Sequence, residues 1–291
     1  MTAAAIPPAP DGAIRGALRR LARDPLGSAG LAIVVVVVLS ALLADLIVPY
    51  DPIAMNIRDR MQEPSLNHIL GTDQLGRDTL SRVIMGGRIA LEVALFSIGG
   101  ALSVGLALGM VAGFGPRWLD NALILLFDTV RSFPTVMFAL AIVALVGPSL
   151  RTIIAVIIVT SIPIYGRVVR TQTLAIRNNE YILAERAMGA SMARVLAVHI
   201  LPNVIGPLLI LASMDIPGVI AFEAGLSFLG LGVKPPTPSW GTILADGLAL
   251  VRNTPWLIVA GGIPLILTTL GFTFLGESLR DIFDPKLRKD L

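Results

Sequence analysis

Cysteine is absent from the 291 residues, which excludes a disulfide framework and any thiolate metal site. Histidine is reduced to His68 and His199, far apart in the chain, so a transition-metal centre has almost no ligands to draw on. The three lysines follow Val233, Pro285 and Arg288, and no Gly-Lys-Ser/Thr phosphate loop can be assembled around them. Charge is the most telling shortage. Only 15% of the residues are charged, where a soluble domain carries roughly 25%. A core cannot absorb that deficit at this length, so the bilayer must be the solvent for much of the chain. Aromatics are sparse, at 5%, and the net charge of +3 is too small and too dispersed for a nucleic-acid partner.

What is present is aliphatic. Hydrophobic residues make up 55% of the chain, mostly Ala, Val, Ile and Leu, and the mean hydropathy is +0.80. A bilayer core about 30 Å thick takes about 20 such residues per helix. The run IVVVVVLSALLADLIV carries a first span over 26–48, interrupted by Asp45. Arg15, Arg19, Arg20 and Arg23 precede it. The apolar stretch is too long for a signal-peptide core and lacks a clean small-x-small cleavage site, so an uncleaved anchor is expected. Five further spans are expected at about 89–113, 119–147, 150–169, 200–222 and 256–279. The fold class is therefore an all-α integral membrane protein with six transmembrane helices.

An even number of spans puts both termini on one side. That side, with tails 1–25 and 280–291, Arg117 and segment 167–199, holds 14 Lys or Arg residues against eight in the opposite loops. The positive-inside rule then makes both termini cytoplasmic. Residues 1–25 read as a flexible cytoplasmic tail, 49–88 as a polar extracytoplasmic loop folded into a compact cap, 89–280 as a five-span core, and 281–291 as a cytoplasmic tail.

Between the fourth and fifth of the expected spans lies a polar cytoplasmic stretch over 176–203, IRNNEYILAERAMGASMARVLAVHILPN. Asn178 and Asn179 can cap a helix beginning near Glu180. Tyr181 to Met188 are good helix formers, and Gly189 is a natural stop in the left-handed conformation. A second helix is expected from Ser191, which caps it, and Leu201-Pro202-Asn203 opens the next span. Two short helices meeting at a glycine and held to the membrane at both ends are shaped to dock on a partner.

Here the chain resembles the permeases of oligopeptide and dipeptide ABC importers. Their cytoplasmic signature begins Glu-Ala-Ala and ends Leu-Pro around a central Gly. Aligned on Gly189, Leu201-Pro202 falls in register, while Leu183-Ala184-Glu185 stands where the signature has Glu-Ala-Ala. The loop motif His68-Ile69-Leu70-Gly71-Thr72-Asp73-Gln74-Leu75-Gly76-Arg77-Asp78 resembles that of the peptide subgroup. So do the run Glu223 to Val233, the following Pro235-Pro236-Thr237-Pro238-Ser239-Trp240-Gly241, and the closing Leu279-Arg280-Asp281 with Asp284-Pro285. The resemblance points to the member of the permease pair that carries the extra N-terminal span. It implies a fold of the type I importer kind, a second homologous permease, two cytoplasmic ABC ATPases and an extracytoplasmic substrate-binding protein. It implies no cofactor on this chain, with ATP and Mg used by the ATPases, and residence in a bacterial inner membrane. It also implies that Ala184, Glu185, Arg186, Ala187 and Gly189, with Leu201 and Pro202, form the ATPase-coupling element. Glu185 and Arg186 would supply charged contacts to that partner. Substrates across the family include dipeptides, longer peptides, glutathione, sugars and nickel chelates.

Ionisable residues within spans are costly, at about 2.5–3.5 kcal/mol at a helix centre, and usually face a cavity or a partner. Asp128 and Arg131 stand three apart, and an intrahelical pair is the favoured reading, with substrate contact the other. Asp215 precedes Ile216-Pro217-Gly218, where a break would open onto a pathway. Glu223 is expected near the outer end, facing either a loop partner or a substrate amine. These four are the candidate pathway residues. Glu92 and Glu277 lie near span ends, within reach of water. Gly105 and Gly109 form a small-xxx-small pattern suited to close helix packing. Pro134, Pro163, Pro217 and Pro264 can kink their helices, and Trp240 and Trp256 read as interfacial anchors.

Two other classes compete. An ion-coupled secondary transporter calls for a larger, internally repeated bundle with midplane carboxylates. An intramembrane enzyme calls for a metal or nucleophile constellation. No His-Glu-x-x-His run exists, and Ser227 in Gly-Leu-Ser-Phe-Leu-Gly does not have nucleophile-elbow spacing.

Overall fold

The computed structural model describes residues 19–283. Most of the tail expected over 1–25, most of that over 281–291, Arg15 and the closing Asp284-Pro285 lie outside the described residues. Among the described residues there are helices and no strand, only an isolated bridge between Thr72 and Asp78.

The helices are α1 (Pro25–Leu42), α2 (Ala44–Ile47), α3 (Thr79–Phe114), α4 (Arg117–Arg131), α5 (Thr135–Val146), α6 (Leu150–Ile176), α7 (Glu180–Ala187), α8 (Met192–Val195), α9 (Leu201–Phe228), α10 (Trp240–Ala249) and α11 (Trp256–Phe283). A π-helical turn, Leu196–Ile200, joins α8 to α9. Five helical stretches are long and apolar enough to cross a membrane, and α4 with α5 makes a sixth if the bent pair is one span.

Local chemistry sets many of the starts. Asp24 caps α1 by accepting from the Leu26 and Gly27 amides, with Pro25 at the first helical position. Asp78 caps α3, Ser149 caps α6, and Ser239 closes a capping box with Thr242 at α10. The second span begins at Thr79 rather than at 89. Its first turns carry Arg82, whose charge reads as loop in a sequence but is buried in an ion cluster here.

The third span departs most from expectation. It is not one helix over 119–147 but two, meeting at Ser132-Phe133-Pro134 with an 83° bend. Pro134 disfavours helical geometry at the residue before it. It stands as the N-cap of α5 rather than as a kink inside a helix.

α3 and α6 form the central pair of the bundle. A Cβ on Gly105 would lie 2.7 Å from the Tyr165 Cβ, and one on Gly109 would lie 2.7 Å from the Val169 Cβ. The small-xxx-small pattern is therefore a close helix–helix contact. α4 packs along the C-terminal half of α6, with Phe127 buried against Gly166 and Asp120 accepting from Arg170 Nη2 at 2.7 Å. α1 lies against α11, where Gly30 approaches the Gly271 carbonyl and the Ser278 hydroxyl donates to Asp24. α10 is too short to read as a span. It packs on α3, α9 and α11 at the end of the bundle that carries the 49–78 loop. Trp240, expected as an interfacial anchor, is instead buried, covers Gly86 and Gly87, and donates from Nε1 to the Val83 carbonyl at 2.9 Å.

Candidate functional site

Halfway through the bundle, a cavity of about 350 Å³ is walled by α4, α5, α6 and α9. Its α6 residues fall between Ile157 and Ile164, and its α9 residues between Met214 and Phe222, near the middle of each helix. Arg131 enters it from the last turn of α4, and Thr135 and Val136 from the first turn of α5. Asp215 enters it from α9. The buried Tyr165 hydroxyl donates to Asp215 Oδ2 at 2.7 Å and fixes the carboxylate. The broken span thus brings two helix ends to one cavity, the setting in which non-helical backbone is tolerated at membrane depth.

Of the four candidate pathway residues, Arg131 and Asp215 share this cavity. Asp128 does not pair with Arg131. It faces α6 and forms an ion pair with Arg167, because the α4 axis lies along the C-terminal half of that helix. Glu223 is 1% exposed, outside the cavity wall, and accepts from the Ser227 hydroxyl one turn on at 2.6 Å. Ser227 in turn accepts from the Val233 amide at 3.2 Å, which ties the end of α9 to the loop that follows. Thr135, Thr160 and Ser161, also in the cavity wall, give no signal in the sequence. A larger, mostly apolar groove of about 860 Å³ lies between α1, α3, α9 and α11, with Arg88 and Glu92 among its lining residues.

Between α6 and α8, α7 ends at Ala187 with Met188 as its C-cap, and Gly189 follows with φ +88° and open space around it. The Ala190 amide bonds back to the Glu185 carbonyl at 3.0 Å, so the turn satisfies carbonyls that the helix end would leave unpaired. Ser191 caps α8 as expected. Ile182, Val195 and Ile200 are wholly buried and dock α7 onto the start of the fifth span. Tyr181, Leu183 and Met188 are exposed, Met188 by 77%. The two charges read as partner contacts are engaged within the chain. Glu185 lies 3.4 Å from His199 Nε2 and 3.8 Å from Arg194 Nε, and the Arg186 guanidinium sits 5.5 Å from the centre of the Phe114 ring.

Leu201 and Pro202 open α9 as expected, but without a break: a helical run continues from Met192 to Phe228 through the π turn, in which the Leu201 amide bonds to the Leu196 carbonyl. Pro202 has no N–H to give the carbonyl four residues back, so a wider turn accommodates it.

At the opposite end of the bundle, the loop motif folds around ion pairs. Asp73 Oδ2 accepts from Arg77 Nε at 2.6 Å and lies 3.5 Å from Arg82 Nε, while Asp246 of α10 lies 3.7 Å from Arg77 and 3.9 Å from Arg82. Gln74 donates to Asp246 at 2.9 Å, and His68 Nδ1 meets Asp78 at 2.9 Å. Gly71 and Gly76 take φ of +67° and +72° to turn the chain around these contacts. The cluster fastens the cap to α3 and α10. Among the described residues, no group of three or more His, Asp or Glu side chains could hold a metal.

Comparison with known proteins fits this architecture. Residues 105–289 match the family described as binding-protein-dependent transport system inner membrane component, and residues 13–64 match the N-terminal TM domain of oligopeptide transport permease C. The dipeptide transport system permease protein of Alkalihalophilus pseudofirmus is 37% identical over 274 residues, 94% of this chain and 90% of that protein. The glutathione transport system permease protein of Pectobacterium atrosepticum is 36% identical over 271 residues, 93% of this chain and 90% of that one. Among solved structures, a chain of the methionine ABC transporter in an inward-facing conformation superposes with a TM-score of 0.58 at 18% identity, covering 70% of this chain and 97% of that chain.

Proposed function

The chain belongs to the family of binding-protein-dependent transport system inner membrane components, and we propose on that footing that it carries short peptides inward as one of two paired permeases. It is a pore subunit of an ABC importer and not an enzyme, and the membership displaces the ion-coupled reading. Two cytoplasmic ATPases hydrolyse ATP with Mg beneath the pair, and an extracytoplasmic binding protein delivers the peptide. This chain needs no cofactor of its own. It lies in the bacterial inner membrane with both termini in the cytoplasm.

One observation carries the mechanism. The helical run Met192–Phe228 has the α7 surface docked at one end and the cavity wall in its middle. In this reading Ala184, Ala187, Met188 and Gly189 enter a groove on an ATPase subunit, because small side chains and an exposed Met let the two surfaces approach closely. Glu185 and Arg186 hold α7 in place from within, and Leu201 and Pro202 transmit its movement. Closure of the ATPases on ATP pushes α7, and α9 tilts at the π turn, opening the cavity to one side and then the other. Arg131 and Asp215 line the pathway; Asp128 and Glu223 hold the bent span and the outer loop in place.

The test is a gentle detergent pull-down from the native membrane, with co-purifying chains identified by mass, followed by uptake in proteoliposomes. Recovery of a second permease and two ATPases, with peptide uptake that stops without ATP, is the expected result. A chain recovered alone, or uptake indifferent to ATP, refutes the reading.

A further inference from the structure

Two charges on the wall of this open cavity, the exposed Arg131 and the half-buried Asp215, have no ion-pair partner within the described residues. Among the described residues Arg131 forms no ion pair, and Asp215 takes only the hydrogen bond from Tyr165. Ionisable groups inside a span are kept at a cost and mark pathways or partners of opposite charge. They also come from different walls, Arg131 from α4 and Asp215 from α9.

We propose, resting on the pathway reading above, that this cavity is a transit site for zwitterionic solutes, in which Asp215 meets the protonated amine of a short peptide and Arg131 meets its carboxylate. Thr135 and Val136, the first residues of α5, stand in the same wall as Arg131. The positive end of that helix adds to the guanidinium where the carboxylate would lie. A guanidinium is also the cation best shaped to hold a carboxylate through two parallel hydrogen bonds. The remaining wall includes Ile157, Ile164, Val219 and Phe222, which offer apolar contact without directed hydrogen bonds. Such a site reads the two charged ends of a peptide short enough to reach both walls, with the Thr135 and Ser161 hydroxyls the remaining polar groups in reach. At about 350 Å³ it lies within the size range of small-molecule pockets.

The experiment uses the complete transporter in proteoliposomes, with the binding protein saturated in each case. Probes are dialanine, N-acetyl-dialanine and dialanine amide. Wild type is expected to move dialanine about tenfold faster than either blocked peptide, the scale of one charge-assisted hydrogen bond. Asp215→Asn should slow dialanine to the rate of the acetylated peptide, and Arg131→Gln should slow it to that of the amide. Asp215→Glu and Arg131→Lys, which keep the charges, should retain most of the preference. Equal rates for all three peptides in wild type, or equal slowing of all three in the neutral variants, overturns the proposal. So does loss of subunit co-purification confined to the neutral variants, since the charges would then serve assembly. Gly218→Trp separates this from the pathway reading. Gly218 lines the cavity, and a Cβ added there meets nothing within 4 Å in this chain. If Gly218→Trp blocks all transport while wild type moves all three peptides at equal rates, the pathway stands and the zwitterion site falls. If Gly218→Trp leaves transport intact, the pathway reading itself fails.

Discussion

Asp73 holds two guanidinium groups and two backbone amides at once, accepting from the Leu75 and Arg77 amides at 2.8 and 3.0 Å through Oδ1. Its side chain is 3% exposed and that of Arg77 is 5% exposed, so each charge depends on the others for compensation. Removing one partner of such a buried set leaves uncompensated charge and costs about 3–5 kcal/mol. Asp73→Asn keeps the shape and the turn-forming acceptor but not the charge. It should lower the detergent melting temperature and raise protease sensitivity in the 49–78 loop, with little effect on the melting of variants at exposed positions such as Leu66. An unchanged melting curve would mean that Asp246 alone suffices for both arginines. At this scale the sequence is unevenly legible. The motif from His68 to Asp78 stood out as a pattern, yet its partner Asp246 lies far along the chain, and no local spacing joins them. Asp128 was misassigned for the same reason. Arg131 is its neighbour by helical spacing, while Arg167 reaches it only through the packing of α4 on α6.

Elements were legible where hydropathy is uniform and illegible where it is not. α1, α3, α6, α9 and α11 announce themselves as apolar runs, the first three behind caps of Asp or Ser. α4 and α5 merge in a hydropathy reading because the break occupies only three residues, and α10 is hidden by being half the length of a span. The π turn is betrayed by a single residue, Pro202, which cannot supply the amide that an α-helical ladder needs. That makes Pro202→Ala informative. With an amide restored at 202, the turn can relax to α geometry. Removing one residue's worth of bulge would rotate α7 relative to α9 by about 100°. The variant should still assemble, since Val204 and Leu208 keep α9 packed in the core. It should lose most of the stimulation of ATP turnover by loaded binding protein, and hydrogen exchange should slow at 198–202. Full stimulation with slowed exchange would show that the π turn is dispensable for coupling.

The whole molecule carries its apolar surface in two different settings. Leu42, Leu95 and Leu145 are 71%, 71% and 83% exposed on spanning helices, which suits lipid or a second permease. Met188 and Leu66, 77% and 102% exposed, sit on opposite polar ends of the bundle, where neither lipid tail nor core covers them. The orientation rests on the distribution of Lys and Arg, and the coupling role of α7 requires that orientation. Because the chain has no cysteine of its own, single introduced thiols report on both without any background. Leu66→Cys should react with a membrane-impermeant maleimide in intact spheroplasts and not in sealed inverted vesicles. Met188→Cys should do the reverse. Its labelling in inverted vesicles should also fall several-fold when the ATPases are bound and return when they are stripped, because their docking would cover the tip of α7. Labelling of Met188→Cys from outside would invert the topology and remove α7 from reach of any ATPase. Labelling from inside that is blind to the ATPases would keep the topology and move the docking surface elsewhere, to Tyr181 and Leu183 or beyond α7 altogether.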